Sequence, residues 1–397
     1  MIAPAATPSI PDFGLVLFVG ADQADLLALT GQLFGDTLVG RAPLLAAGRG
    51  PGEGLVQRIE ERLRARELAI VDARLLSARD RQRLASIARR WHAPMTSIVL
   101  CLEGGNVSRL FAKLSQEGFK RVIALDVGRA STIGPPIIVP LDVDRRADTS
   151  AFDIIGDVHG CAAELEQLLC QLGYQVTWGA SEGTRQVSVT PPEGRKAIFV
   201  GDLVDRGPNT PDVLRIAMRL VGDAAGYCVQ GNHERKLLRA LEGGDVTVRH
   251  GLAESLGQIS CEPPSFAREV RSFLDNLPSH VWLDGGHLVV AHAGIKAEMI
   301  GRESRSVSHF TLFGDTTGEI DQLGLPVRRE WAASYSGGTA IVYGHTPVRV
   351  PGWLNNTLCL DTGCVFGGAL SAMRWPEREI VRKPADRVWW RRPIERE

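Results

Sequence analysis

Six polar clusters, each placed directly after an apolar stretch, carry the residue types of a metal-dependent reaction. The first lies in AFDIIGDVHGC, residues 151–161, where Asp157 and His159 are two positions apart. Alternate residues of a strand point to the same side, so this pair could hold one cation. A buried carboxylate also needs a counter-charge. For DVH alone, an ordinary strand end with a surface histidine explains the pattern equally well.

Five further clusters supply the same kinds of side chain. They are GDLVDRG after residues 197–200, GNHE after 227–230, HAG after 288–291, GHTP after 340–343 and DTG after 358–360. Three imidazoles, two carboxylates and one amide are candidate ligands, namely Asp157, His159, Asp202, Asn232, His292 and His345. This set exceeds the needs of one tetrahedral zinc ion. It suits two divalent ions that share a carboxylate, and mixed N and O ligands favour Mn²⁺ or Fe²⁺.

Such a site predicts phosphoester hydrolysis, because two metal ions polarise phosphoryl oxygens and deliver a hydroxide in line. Arg206 can hold the phosphate with two hydrogen bonds. His233 directly follows Asn232 and is a candidate to protonate the leaving oxygen, with Asp205 as its orienting partner. Single clusters carry little weight, and Asp361 in DTG is also explained as a turn residue. The order GDVHG, GDLVDRG, GNHE, HAG, GHTP carries the prediction.

These residues resemble the calcineurin-like metallophosphoesterase superfamily in its protein-phosphatase-like branch. Over about residues 150–390 the chain is further similar to the phosphatase module of bacterial polynucleotide kinase–phosphatase, through FDIIGDVHGC, GRKAIFVGDLVDRGP, GNHERKLLRAL, VVAHAGI, DTTGEIDQLGLPVRREW, IVYGHTP and DTGCVFGGALSAMRWPERE. The resemblance implies a four-layer αββα sandwich. It implies two divalent ions, foremost Mn²⁺, with Fe²⁺, Ni²⁺ and Zn²⁺ as alternatives.

The resemblance also implies a role for each matching residue. One metal is assigned to Asp157, His159 and Asp202, and the other to Asp202, Asn232, His292 and His345. Arg206 is the phosphate ligand, His233 the general acid with Asp205, and Asp361 part of the surrounding shell.

Substrates remain open between several classes. The resemblance favours hydrolysis of phosphomonoesters and 2′,3′-cyclic phosphates at RNA ends. A protein Ser/Thr phosphatase or a dinucleoside-polyphosphate hydrolase would use the same metal site, so that site does not separate them. A further alternative is a subunit of an RNA-repair complex whose N-terminal half serves as a binding module. RNA ends or nucleotides, RNA-repair proteins and a second copy of the chain are the expected partners.

Strands and helices that must position these clusters alternate along the chain. In the N-terminal part, apolar runs predict strands at 15–19, 68–73, 97–102 and 121–126, and helical patterns lie at 55–66 and 78–90. This alternation predicts a parallel α/β layer. In such sheets, functional groups gather at the carboxyl ends of the strands. The Pro-, Gly- and charge-rich stretch 128–151 separates two predicted domains, 1–145 and 150–390.

The N-terminal domain is predicted to be a degenerate P-loop kinase-like domain, because a P-loop kinase precedes the phosphatase in the resembled family. A working loop needs the pattern GxxxxGK followed by Ser or Thr. Here Gly20 is followed by Ala-Asp-Gln-Ala-Asp-Leu-Leu, residues 21–27. Two Asp stand in the anion cradle, and Lys and Ser/Thr are missing. Kinase activity is therefore predicted to be absent.

Composition places few further limits on function. The chain has 397 residues and a net charge of −1, so nothing global calls for nucleic acid or a membrane. Its seven cysteines form no CxxC pair, which favours reduced thiols in a cytosol. The N-terminus lacks a signal-peptide pattern, and no apolar run is long enough for a membrane span. The predicted location is the cytoplasm.

Overall fold

The structure, a computed structural model, describes residues 9–20, 45–47, 50–101, 108–126, 137–181, 184–320 and 326–391. The chain divides into two compact units. The first comprises Met1–Leu141 with Arg302–Ser304, and the second comprises Asp142–Gly301 with Arg305–Glu397.

The N-terminal unit is built on a parallel sheet. Its strands are β1 (Ser9–Pro11), β2 (Gly14–Gly20), β3 (Leu45–Ala46), β4 (Leu68–Asp72), β5 (Met95–Cys101), β6 (Arg121–Asp126) and β7 (Ile137–Val139). Five of them form a sheet in the order β3-β4-β2-β5-β6, with every neighbouring pair parallel. Strands β1 and β7 form a separate parallel pair. The predicted parallel α/β layer is confirmed.

Helices of this unit are α1 (Glu53–Arg64), α2 (Ala78–Arg90) and α3 (Ser108–Glu117). Helix α1 buries Leu55, Ile59 and Leu63, which are spaced by four residues and share one helix face. The two helices and four strands predicted from the sequence lie within two residues of the observed bounds. The predicted defective phosphate loop begins at Gly20, and its residues 21–27 lie outside the described residues. The kinase-like character of this unit therefore stays a prediction.

Among its described residues, the C-terminal unit contains two five-stranded sheets. Its strands are β8 (Ala151–Ile155), β9 (Gln175–Ser181), β10 (Thr184–Thr190), β11 (Arg195–Phe199), β12 (Gly226–Cys228), β13 (His280–Leu283), β14 (Leu288–Ala291), β15 (Thr316–Ile320), β16 (Pro326–Arg328), β17 (Ala340–Tyr343), β18 (Trp353–Leu354), β19 (Thr357–Cys359), β20 (Ala369–Trp375) and β21 (Glu379–Pro384). The sheets have the orders β12-β11-β8-β20-β21 and β13-β14-β17-β19-β18. Strands β9 with β10, and β15 with β16, form antiparallel hairpins.

Six of these strands precede the six polar clusters. Strands β8, β11 and β12 run parallel in the first sheet. Strands β14, β17 and β19 run parallel in the second. The carboxyl ends of parallel strands meet at one edge of their sheet. Each sheet therefore presents three of the clusters at one edge.

Helices of this unit are α4 (Ala162–Leu172), α5 (Thr210–Gly222), α6 (Asn232–Leu241), α7 (Leu252–Ser260), α8 (Pro264–Asp275) and α9 (Arg305–Phe313). Adjacent strand residues point to opposite faces. Accordingly, Ile154 of β8 packs with Val290 and Val342 of the second sheet, whereas Ile155 packs with residues of α4 and α5. On the far face of the second sheet, Val289 packs with Val307 of α9. The layers are therefore helix, sheet, sheet and helix, as predicted.

The sequence predicts reduced thiols and no membrane-spanning segment. All seven cysteines are free. None of the helices within the described ranges is both long and apolar enough to cross a membrane.

Candidate active site

Strained turns hold the polar clusters at the strand ends. Three candidate ligands have positive φ angles, 46° at His159, 50° at Asp202 and 75° at His345. Non-glycine residues seldom adopt this conformation, and each instance costs roughly 1–3 kcal/mol. Glycine is required beside two clusters, since a Cβ at Gly344 would collide with the Asp157 carboxylate and one at Gly231 with that of Asp202. The backbone of these turns therefore leaves room for the carboxylates of Asp157 and Asp202.

Backbone carbonyls fix the orientation of two imidazoles. The Nδ1–H of His159 donates to the carbonyl of Val204 at 2.8 Å, and the Nδ1–H of His292 donates to that of Val200 at 3.0 Å. A carbonyl oxygen only accepts, so the lone pair of each neutral ring lies on Nε2. A carbonyl partner of this kind orients many metal-ligating histidines.

Asp202 lies at the centre of the candidate ligands. Its Oδ1 is 3.4 Å from Nε2 of His292, and its Oδ2 is 3.6 Å from Nε2 of His159 and 3.9 Å from Nε2 of His233. Two groups of ligand atoms, each within 4.8 Å of one another, share this residue: His159–Asp202–His233 and Asp202–His292–His345. The Asp202 carboxylate is therefore placed to bridge two ions.

Several lone pairs converge within the second group. Nε2 of His292 is 3.0 Å from Oδ1 of Asn232 and 3.0 Å from Nδ1 of His345. Because Nε2 of His292 carries no hydrogen, its lone pair faces the lone pairs of the Asn232 oxygen. Such a contact is repulsive unless a cation lies between the two atoms. The donor set therefore fits a divalent metal ion.

The protonation states of these groups agree with metal binding. Burial raises the pKa of Asp157 well above its usual range, and the charges of Asp361 and Asp202 raise it further. Burial lowers the pKa of His292 to about 3 and that of His345 well below its usual range. Neutral imidazole is the form that coordinates a metal. A cation at the centre would also offset the cost of burying the carboxylates.

His233 and Asp205 form a buried pair beside the first group. The Nδ1–H of His233 donates to Oδ2 of Asp205 at 2.6 Å. Burial raises the pKa of Asp205 to about 6, and its backbone N–H donates to Oγ of Ser255 at 2.9 Å. Nε2 of His233 is 2.9 Å from Nη2 of Arg206. This orientation leaves Nε2 to serve a proton transfer on the side of Arg206.

Arg206 contacts both histidines of the first group. Its Nη1 donates to Nε2 of His159 at 2.6 Å, in addition to the contact with His233. Its guanidinium also lies over the rings of Phe366 and Trp390, 5.4 Å and 5.5 Å from their centroids. The guanidinium thus occupies the lone pair of His159 that a metal ion would use.

All ten side chains predicted for the site belong to this one network. Asp157 accepts from the backbone N–H of His345 at 3.0 Å, and Asp361 accepts from that of Gly363 at 2.9 Å. Asp361 is near enough to raise the pKa of both Asp157 and Asp202. Two further residues of the network, Glu234 and Arg328, were not predicted from the sequence.

Glu234 is fully buried and joins two of the loops. Its carboxylate accepts from the backbone N–H groups of Asp202 at 2.7 Å, Leu203 at 2.8 Å and Gly231 at 3.0 Å. The signal available in the sequence is its place three residues after Gly231, which precedes helix α6. Arg328 donates from Nη2 to Nε2 of His345 at 2.8 Å. Arg328 lies in DTTGEIDQLGLPVRREW, one of the stretches that carry the resemblance, but no role was predicted for it from the sequence.

The Glu234→Gln substitution is expected to lower the free energy of unfolding by about 1–3 kcal/mol. The new amide nitrogen would face backbone N–H donors and leave at least one of them buried and unpaired. Urea unfolding followed by circular dichroism measures this change. Glu193→Gln, the same change at an exposed position, serves as the control and is expected to stay within about 0.5 kcal/mol. Equal stability of the two variants would contradict the role given to Glu234.

Comparisons with known proteins find a family match in the C-terminal part of the chain. A family model described as calcineurin-like phosphoesterase matches residues 151–349. That range includes every predicted site residue except Asp361.

This chain aligns with similar proteins over most of their length. The asymmetrical bis(5′-nucleosyl)-tetraphosphatase PrpE of Geobacillus sp. (strain WCH70) is 44% identical over 238 residues, which are 59% of this chain and 94% of that protein. The protein of the same description from Bacillus subtilis (strain 168) is 43% identical over 239 residues, 59% of this chain and 95% of that protein. A solved structure provisionally identified as a diadenosine tetraphosphatase has a TM-score of 0.44 and 26% identity, and covers 61% of this chain and 97% of that chain.

Proposed function

The chain belongs to the calcineurin-like phosphoesterase family, whose members use a binuclear divalent metal centre, and we propose that it hydrolyses dinucleoside tetraphosphates asymmetrically. The observation that supports this substrate most directly is the 44% identity to a protein of that description over 94% of its length. The grouping of His159, His292 and His345 around Asp202 supports the reaction class.

We assign the metals to the ligands that the resemblance implies, with Asp157, His159 and Asp202 for one ion and Asp202, Asn232, His292 and His345 for the other. The geometry supports the second group through the contacts of His292 with Asn232 and His345. In the first group it brings His233 close to His159 and Asp202, whereas Asp157 joins through the backbone N–H of His345. Mixed nitrogen and oxygen ligands without thiolate favour Mn²⁺. Two divalent ions in such a site act as Lewis acids on phosphoryl oxygens and lower the pKa of water.

The chain's own residues bind the phosphate and handle the proton. Arg206 offers Nη1 and Nη2 to phosphate oxygens once these atoms leave His159 and His233. His233 would hold a proton at Nε2 for the leaving oxygen only after Arg206 has left that atom, because burial and the charge of Arg206 lower the pKa of His233 well below its usual range. Asp205 keeps the ring oriented through Nδ1. In asymmetric cleavage the leaving group is a nucleotide phosphate, which needs little protonation.

RNA-end hydrolysis, the main prediction from the sequence, remains the second substrate class to test. The two relatives described above are named for dinucleoside tetraphosphates, not for RNA ends. The degenerate kinase, the RNA-repair partners and a homodimer likewise stay predictions. Their support is the resemblance of the sequence to polynucleotide kinase–phosphatase.

A panel of substrates tests the proposal. With Mn²⁺, we expect kcat/KM to be highest for diadenosine tetraphosphate, and the products to be one nucleoside triphosphate and one monophosphate. EDTA-treated protein is expected to be inactive until Mn²⁺ is restored. The panel includes 2′,3′-cyclic nucleotides, RNA 3′-phosphate ends and a phosphopeptide. A higher kcat/KM on any of these three would overturn the substrate assignment while leaving the phosphoesterase assignment intact.

A further inference from the structure

We propose that Lys236 binds the phosphate next to the one that Arg206 holds, on the leaving-group side of the substrate. The proposal deepens the proposed function and rests on it, because a polyphosphate carries a phosphate on its leaving group and a simple phosphomonoester carries none. Lys236 lies on α6, three residues after His233, and belongs to none of the six polar clusters.

Helix α6 places Lys236 on the same side as the proposed general acid. Residues three apart on a helix are neighbours on its surface, and helical side chains lean toward the N-terminus of the helix. Lys236 is accordingly near enough for its charge to lower the pKa of His233, after the larger effects of burial and of Arg206. A general acid must reach the leaving oxygen, so the leaving group lies beside His233. A phosphate attached to that oxygen is thus brought toward Lys236.

The loop between α6 and α7 brings Lys236 and Arg206 together. Nζ of Lys236 donates to the backbone carbonyl of Arg249 at 2.7 Å. Two residues later, a Cβ at Gly251 would collide with the backbone nitrogen of Arg206, so the loop packs directly against that residue. His250, between the two contacts, has a φ of 62°. Backbone strain of this kind persists where the surrounding structure fixes the position of functional groups.

The positive charge around Lys236 is not neutralised by an ion pair. Burial lowers the pKa of Lys236, the charge of Asp205 raises it, and the charges of Arg206 and Arg249 lower it. The Asp205 carboxylate already accepts a hydrogen bond from His233. Among the residues that the structure describes, no carboxylate lies within ion-pair distance of Lys236 or Arg249. An ammonium has three N–H donors, so two remain for an incoming anion.

The bond to Arg249 also gives Lys236 a structural task, which is to hold the loop. Loss of that task would weaken every ligand alike, because the loop packs against Arg206. Phosphate binding by Lys236 concerns only ligands that carry a second phosphate. Ligands with one and with two phosphates therefore separate the two roles.

Calorimetric titration of the Mn²⁺-loaded protein tests the role of Lys236. The probes are methylenediphosphonate, a non-hydrolysable analogue of two linked phosphates, and methylphosphonate, the single-phosphate comparison. Lys236→Met keeps most of the side-chain length and removes the charge. It is expected to bind the diphosphonate about 10- to 100-fold more weakly, as for a lost charged hydrogen bond. Its affinity for methylphosphonate is expected to change by less than about 3-fold.

Arg235→Met is the matched control, because it removes one positive charge from the same helix. Arg235 is exposed, and adjacent helix residues lie about 100° apart around the axis, so this variant should bind both probes like the wild type.

Three results would overturn the inference: unchanged diphosphonate affinity in Lys236→Met, an equal loss for methylphosphonate, or an equal loss in Arg235→Met. Metal content is measured in each variant after the titration, and loss of Mn²⁺ from Lys236→Met would also count against it. The probes carry no nucleoside and need no turnover. Failure of this binding test is therefore distinguishable from failure of the tetraphosphatase assignment, which the substrate panel decides.

Discussion

The Asp202→Asn variant is expected to lose at least about 1,000-fold in kcat on diadenosine tetraphosphate and to retain much less Mn²⁺ after gel filtration. The two oxygens of Asp202 face different ligand groups, so the substitution weakens both metal positions together. Metal ions contribute several kcal/mol to such reactions, and about 4 kcal/mol corresponds to a 1,000-fold change in rate. Metal analysis of the purified variant and steady-state kinetics measure the two effects.

Asp245→Asn, the same change at an exposed position, provides the control and should keep wild-type metal content and turnover. The bridging role predicts that both ions are lost from Asp202→Asn. If this variant kept two tightly bound ions and full activity, the assignment of Asp202 as the shared ligand would be wrong. Retention of one ion would place Asp202 on a single metal.

Strand positions were predictable from the sequence because short apolar runs here end at glycines and polar residues. The run AIVY gives β17, Ala340–Tyr343, with its exact bounds. The candidate ligands follow directly after such runs, so their convergence follows from parallel pairing of the strands. Local pattern and the geometry of parallel sheets suffice for this much of the site.

Contacts between separate loops were not predictable in the same way. The carbonyls that orient His159 and His292 belong to Val204 and Val200, and no sequence spacing connects these partners. Glu234 works through backbone N–H groups of another loop, which sequence patterns do not specify. Arg328 reaches His345 from a hairpin, at a distance that only the tertiary structure defines.

The substrate could not be predicted from the metal ligands for a related reason. The metal ligands set the reaction class, and the same ligands serve phosphomonoesters, cyclic phosphates and polyphosphates alike. The preference for RNA ends came from stretches outside the ligand set, including the hairpin that carries Arg328. Any discrimination between these substrates must therefore come from residues outside the ligand set, whose placement depends on tertiary structure rather than on a local pattern.

His233→Ala is expected to lose activity in proportion to the need of the leaving group for a proton. An alkyl phosphomonoester releases an alkoxide, so the loss in kcat/KM should reach about 10²- to 10⁴-fold. p-Nitrophenyl phosphate releases an anion that is stable near neutral pH. Diadenosine tetraphosphate releases a nucleotide, whose terminal phosphate has a second pKa of about 6. Both of these substrates should lose less than about 10-fold, since general acid catalysis adds little where the leaving group ionises readily.

Arg206→Ala is the comparison that separates proton transfer from phosphate binding. A residue that binds the transferred phosphate serves every substrate, so Arg206→Ala should lower kcat/KM on all three by similar factors. Metal content tests a third possibility, that His233 is itself a metal ligand. Its Nε2 lies 3.9 Å from Oδ2 of Asp202, in the group that also contains His159. If His233→Ala lost Mn²⁺ and fell equally on all substrates, His233 would be a ligand. If it kept its metals and still fell equally, the general-acid assignment would fail, and the pair with Asp205 would serve to hold Arg206 in place.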